Sequence, residues 1–193
     1  IQKFTKYGKF LMNWGSFGVK DGELNMPWGI ALDADGDIYI SDWRNDRIQK
    51  FNSNGKFLFK FGKSGKGEGH LDRPMGLAVD KDFDIYVTDR PDRVQLFSPE
   101  GRYVQRFLGD ATISKSALEL MWTMKRQLRL REMTNLEPQQ FFRSPRSVRV
   151  DDEGRMFVCD YKSFRIQVYQ KESYVLEEDD LAPALRAPTL SSN

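Results

Sequence analysis

Three stretches of this 193-residue chain set aromatic and cationic side chains at matched intervals: Trp28, Trp43 and Arg44; Arg90; and Arg146, Tyr161, Lys162 and Phe164. Aromatic rings and guanidinium groups are what anchor interfaces, so the chemistry they offer is recognition rather than bond-making. The alternative is that they do no more than cover strand ends. A further basic set, Lys125, Arg126, Arg129 and Arg131, lies in the segment 111–149, which holds eight Lys and Arg against three Glu. Such a set suits a partner groove or phosphate groups. Leu118, Met121, Trp122, Lys125 and Leu128 fall at helical spacing after the capping pattern Ser116 to Glu119, which predicts a basic amphipathic helix. That helix is also consistent with a lid that packs its apolar side and leaves its charges in water.

Reactive residue types are scarce. One histidine, His70, and one cysteine, Cys159, supply too little material for a metal site, a hydrolytic dyad or an intrachain disulfide. No catalytic residue, metal or cofactor is assigned. Asp33-Ala-Asp35-Gly-Asp37 lacks the later bidentate Glu of a calcium loop and reads as a hairpin turn. Cys159 replaces Ser41 and Thr88 of matching segments, in what reads as a buried strand, and is expected to be an inert packed thiol. Asp42 with Arg47, Asp89 with Arg93 and Asp160 with Arg165 recur in register. Recurrence argues for a pair that bridges a turn, not for a charged binding site.

Those residues sit on a repeat. Pro27-Trp-Gly-Ile-Ala-Leu-Asp33 returns 47 residues later as Pro74-Met-Gly-Leu-Ala-Val-Asp80, and after a further 71 as Pro145-Arg-Ser-Val-Arg-Val-Asp151. A second anchor follows each time, Asp37-Ile-Tyr-Ile-Ser-Asp42, Asp84-Ile-Tyr-Val-Thr-Asp89 and Arg155-Met-Phe-Val-Cys-Asp160. The third anchor is Arg47-Ile-Gln-Lys-Phe51, Arg93-Val-Gln-Leu-Phe97 and Arg165-Ile-Gln-Val-Tyr169. The opening Ile1-Gln-Lys-Phe4 repeats Ile48-Gln-Lys-Phe51, so the chain starts inside a unit, with its true N-terminus expected upstream. The longer interval marks an insertion of 24 residues. Short β-branched and aromatic runs separated by Asp-Gly, Asn-Gly and Glu-Gly turns predict four strands per unit, the pattern of a β-propeller blade.

The three anchors in register resemble NHL repeats, over nearly all of residues 1–170 outside the insertion. The resemblance implies an all-β propeller of four-stranded antiparallel blades, here a partial ring with one helical insertion. Blades are expected at about 1–20, 21–64, 65–109 and 141–176, with the insertion at about 111–140 and an acidic, Pro- and Ser-containing tail at 177–193 expected to be disordered. NHL propellers are similar to six-bladed rings, so the chain reads as the C-terminal part of a longer protein. Its open blade faces are expected to drive self-association. Ser147, Arg149 and Phe157 depart from the pattern in the last unit.

A hydrophobic share of 39% with 30% charged residues is globular, and a net charge of +2 points to neither nucleic acid nor an acidic partner. No apolar run reaches the roughly 20 residues that span a bilayer. Localisation stays open. The leading expectation is a non-enzymatic, protein-binding scaffold that uses the loop face and the basic insertion. Two rivals follow from the resemblance: single-stranded RNA binding on a basic, aromatic face, as in NHL propellers of the tripartite-motif type, and a fragment of a lyase or lactonase-like propeller enzyme whose metal ligands lie in other blades.

Overall fold

The computed structural model describes residues 1–111 and 140–171. The insertion expected to be helical, its residues Lys125, Arg126, Arg129 and Arg131, and the tail lie outside the described residues. Strands β1 (Gln2–Phe4) and β2 (Phe10–Asn13) form a half-blade. Blade I follows with β3 (Pro27–Leu32), β4 (Ile38–Asp42), β5 (Arg47–Phe51) and β6 (Phe57–Phe61), in sequential antiparallel order. A short parallel pair, β7 (Lys63–Ser64) and β8 (His70–Leu71), lies in the connection to the next blade. Blade II repeats the order with β9 (Leu77–Val79), β10 (Ile85–Asp89), β11 (Arg93–Phe97) and β12 (Tyr103–Phe107). Blade III has three described strands, β13 (Pro145–Val150), β14 (Arg155–Asp160) and β15 (Arg165–Gln170). The result is an all-β arc of propeller blades. Among the described residues no helix is long and apolar enough to cross a membrane.

Each junction between neighbouring sheets encloses its own core. Tyr39, Ile48 and Phe61 of blade I meet Ile85, Val87 and Phe97 of blade II, with the Phe61 and Phe97 rings 4.9 Å apart. Tyr86, Val94 and Leu96 of blade II meet Val148, Met156 and Val158 of blade III. Sandwiching explains why the second strands carry no polar alternation. All five residues of β4 and of β10 are buried, because a sheet lies on either side of each.

The glycine of the Pro-x-Gly motif has a packing cause. A Cβ on Gly29 would lie 2.1 Å from the Met75 carbonyl oxygen, and one on Gly76 would lie 2.7 Å from Ser147 Cα. The innermost strands of successive blades approach too closely for a side chain there. In blade III this position holds Ser147, which is exposed and has no further sheet packed on it among the described residues. Cys159, expected to be packed, departs from that expectation among the described residues. The thiol is exposed, whereas Ser41 and Thr88 are fully buried by the blade that follows theirs. Strand β14 accordingly alternates between buried and open residues, and Ile166 and Val168 of β15 are exposed as well.

Candidate functional site

The recurring Asp and Arg turn out to be two parts of a three-residue clip. In blade I the Arg47 Nε donates to Asp42 Oδ2 at 2.8 Å, while its two terminal nitrogens donate to the carbonyls of Val19, Lys20 and Glu23. Gln49 donates to the Glu23 carbonyl and accepts from the Gly22 amide. Blade II repeats the pattern: Arg93 holds Asp89 at 2.9 Å and the carbonyls of Lys66, Gly67 and His70, and Gln95 joins His70 and Gly69. In blade III, Arg165 pairs with Asp160 at 2.9 Å and donates to the Gln140 and Phe141 carbonyls. The Asp carboxylates also accept amides of the incoming chain, from Asn25, Asp72 and Arg143. The clip therefore fastens each incoming connection to the second and third strands of its own blade, satisfying backbone groups that would otherwise be buried without partners. Burial pushes the Asp89 carboxyl up from its ordinary range, against the opposing pull of the Arg93 hydrogen bonds.

These cations are spent on structure; a second set is not. Pro27 pairs with Asp42 across β3 and β4, and Pro145 with Asp160 across β13 and β14. The residue after each proline therefore emerges beside the turn between the second and third strands. That geometry brings Trp28 onto Trp43, stacked at 6.2 Å and 28°. It also brings Arg146 onto Tyr161, with the guanidinium carbon 4.0 Å from the ring centroid. Single 3-10 turns over Trp43–Asn45 and Tyr161–Ser163 present the aromatic residues.

Between blades I, II and III this face holds a depression of about 330 Å³ lined by Trp43, Arg73, Met75, Arg90, Asp92, Ser144, Arg146 and Lys162. Of the residues singled out from sequence, Trp43, Arg90, Arg146 and Lys162 meet here, and Trp28 and Tyr161 adjoin through their stacked neighbours. Arg44 is exposed but does not line the depression. Arg73 was missed. Its guanidinium carbon lies 4.8 Å from the Trp43 ring centroid. The signal was present: Arg73 immediately precedes Pro74, in register with Met26 and Ser144.

Arg73, Arg90, Arg146 and Lys162 have no carboxylate or hydrogen-bond acceptor for their side chains among the described residues. Asp92, the one carboxylate of the lining, spends Oδ1 on the Ser144 amide at 2.8 Å. A guanidinium lying on a ring keeps its N–H edge free, so the depression is built to receive oxyanions. On the opposite side of the blades, the Asp33 turn is the hairpin expected: Oδ1 of Asp33 accepts the amides of Asp35 and Asp37, and Lys50 neutralises Asp33 and Asp37. Among the described residues the His70 ring hydrogen-bonds the Glu68 carbonyl alone, through Nδ1, and no group of His, Cys, Asp or Glu is arranged to hold a metal.

Comparison with known proteins agrees with this architecture. The NHL repeat family matches residues 24–51 and 142–169, which contain the first and third clips. No curated protein matches the sequence. In fold the chain is similar to a streptogramin B lyase structure, at 15% identity and TM-score 0.51, over 89% of this chain and 48% of that one. It is similar to virginiamycin B lyase from Staphylococcus aureus at 14% identity and TM-score 0.51, with the same coverages. The chain thus spans about half the length of these structures, and at such identities the likeness concerns fold alone. The unit between the two matched segments carries the same Asp89, Arg93 and Gln95 clip in the same four-stranded sheet. Two of its repeats thus match the NHL repeat, and the fold is that of β-propeller blades.

Proposed function

We propose that this chain is a non-catalytic propeller segment that binds another protein on the loop face. The carrying observation is the depression itself: four cations without an intramolecular acceptor among the described residues, set around Trp43, two of them guanidiniums stacked on rings. Arg and aromatic side chains at the centre of a concave patch are the composition of interface anchors. The clip supports a scaffold role, since the residues recurring most faithfully are consumed in holding the blades and leave the loop face free to vary.

The Trp28 and Trp43 stack favours a second reading, because a ring platform beside cations also suits single-stranded RNA. The two separate cleanly. The test uses a variant with Arg73, Arg90, Arg146 and Lys162 all changed to Gln, beside the native chain, against immobilised cell protein and a random RNA pool. Specific protein capture that the variant loses, with little RNA retained, is the expected result. RNA binding that falls steeply with salt and disappears in the variant would replace the protein reading with the RNA one.

A further inference from the structure

Blade III departs from its neighbours at one turn position. In blades I and II the residue before the third strand is Asp46 or Asp92, both left-handed at φ 51° and 59°. Each carboxylate accepts the amide that opens the next blade, Arg73 at 2.7 Å and Ser144 at 2.8 Å. Asp tolerates that backbone conformation, and the hydrogen bond explains its use. Blade III keeps the conformation, at φ 52°, but places Phe164 there. A benzyl group accepts no hydrogen bond, a bulky side chain is strained at positive φ, and this one is 94% exposed. It belongs to none of the core clusters of the described residues.

Phe164 ends the turn whose other members serve the depression. Lys162 lines it, and Tyr161 carries the Arg146 guanidinium. Arg73 on Trp43 is the second stacked guanidinium of the same depression. Their free edges match the two oxygens of a carboxylate or a phosphate. Asp92 among the lining residues disfavours a ligand charged at every unit along its length.

We infer that the loop face takes a peptide carrying one oxyanion side chain, a carboxylate or a phosphorylated hydroxyl, with an apolar side chain close by in sequence that packs on Phe164. The anion enters the depression between the stacked guanidiniums, and Phe164 reads the neighbouring residue. This deepens the protein-binding reading and rests on it.

The test presents the chain with bead-displayed random peptides in three arms, with Glu, phosphoserine or Gln fixed at the centre, and with an RNA pool in parallel. The Glu or phosphoserine arm is expected to enrich about tenfold or more over Gln, with an apolar residue selected at a constant offset. The stronger of those two arms names the source of the oxyanion. Changing Arg73 and Arg146 together to Met removes the anion preference. Phe164→Asp restores the residue type of the other blades, so the fold is retained. It abolishes the apolar selection while the anion preference remains. Equal enrichment in all three arms, or apolar selection unchanged by Phe164→Asp, overturns the inference and leaves protein binding standing. No peptide enrichment with retention of RNA overturns both.

Discussion

Arg93→Met probes the clip where it is most enclosed. The Arg93 side chain is 3% exposed and its Asp89 partner 0%. The substitution keeps most of the apolar stem but removes the contacts to both Asp89 oxygens and to the carbonyls of Lys66, Gly67 and His70. Taking one partner from a buried ion pair costs about 3–5 kcal/mol, because the remaining charge has neither water nor a counter-ion. Gln95, 3.5 Å from Asp89 Oδ2, is too distant to replace the guanidinium. Urea unfolding followed by the fluorescence of the four tryptophans measures the loss. The loss also has a pH signature. The folded pKa of Asp89 already stands above its ordinary 3.8 through burial, and Arg93 is what restrains it. Without Arg93 it rises further, so the folded state binds a proton that the unfolded chain has released. Its stability then falls as pH increases through that window. The deficit against the native chain should widen between about pH 4 and pH 7. Arg155→Met, at the exposed pair with Asp151 and Glu153, is the control and should cause no resolvable change. A loss under about 1 kcal/mol at neutral pH, or one no larger than the control, would refute the structural role of the clip.

Three further outcomes are expected. Gly76→Ala drives a methyl group against Ser147 Cα at 2.7 Å and the Arg146 carbonyl oxygen at 2.9 Å, and should cost about 1–3 kcal/mol by the same urea assay. Lys171→Met releases Asp80, Asp82 and Asp84, whose carboxylates lie 2.8–2.9 Å from one ammonium, and should cost about 1–2 kcal/mol, less than a fully buried pair because Asp82 is open to solvent. The Lys171 hydrogen bond lowers the pKa of Asp82 below 3.8, so this contribution is present at neutral pH and lost as acid titrates the carboxylate through its folded value. Native Cys159 should react fully with a thiol reagent in the absence of denaturant, which a thiol sealed between blades would not.

What was legible in the sequence was whatever repeats. Pro27, Gly29, Asp42, Arg47 and Gln49 return in register, and a position that returns once per blade announces a packing or clipping duty. The pairing of Asp42 with Arg47 was read correctly for this reason, and Gln49 extends it. Cys159 misled because its letters fit a buried strand, whereas burial of a second strand depends on a following sheet, and β14 has one on a single side among the described residues. Arg73 was overlooked although its register before Pro74 was readable, because that position holds Met26 and Ser144 in the other units and its residue type does not recur. Lys171 was hidden by distance. Blade I neutralises its acidic hairpin with its own Lys50, whereas blade II has Leu96 at that register, and the cation arrives from beyond the third strand of blade III. The left-handed turns at Asp46, Asp92 and Phe164 are backbone facts that residue types reveal only once the three turns are compared.

The division between structural and binding cations has one direct measurement: the unfolding midpoint of the chain with Arg73, Arg90, Arg146 and Lys162 all changed to Gln. If these four serve a ligand, like charges crowd an unliganded depression and the midpoint should stay unchanged or rise. A fall comparable to that of Arg93→Met would contradict this and place the four among the residues that hold the blades together.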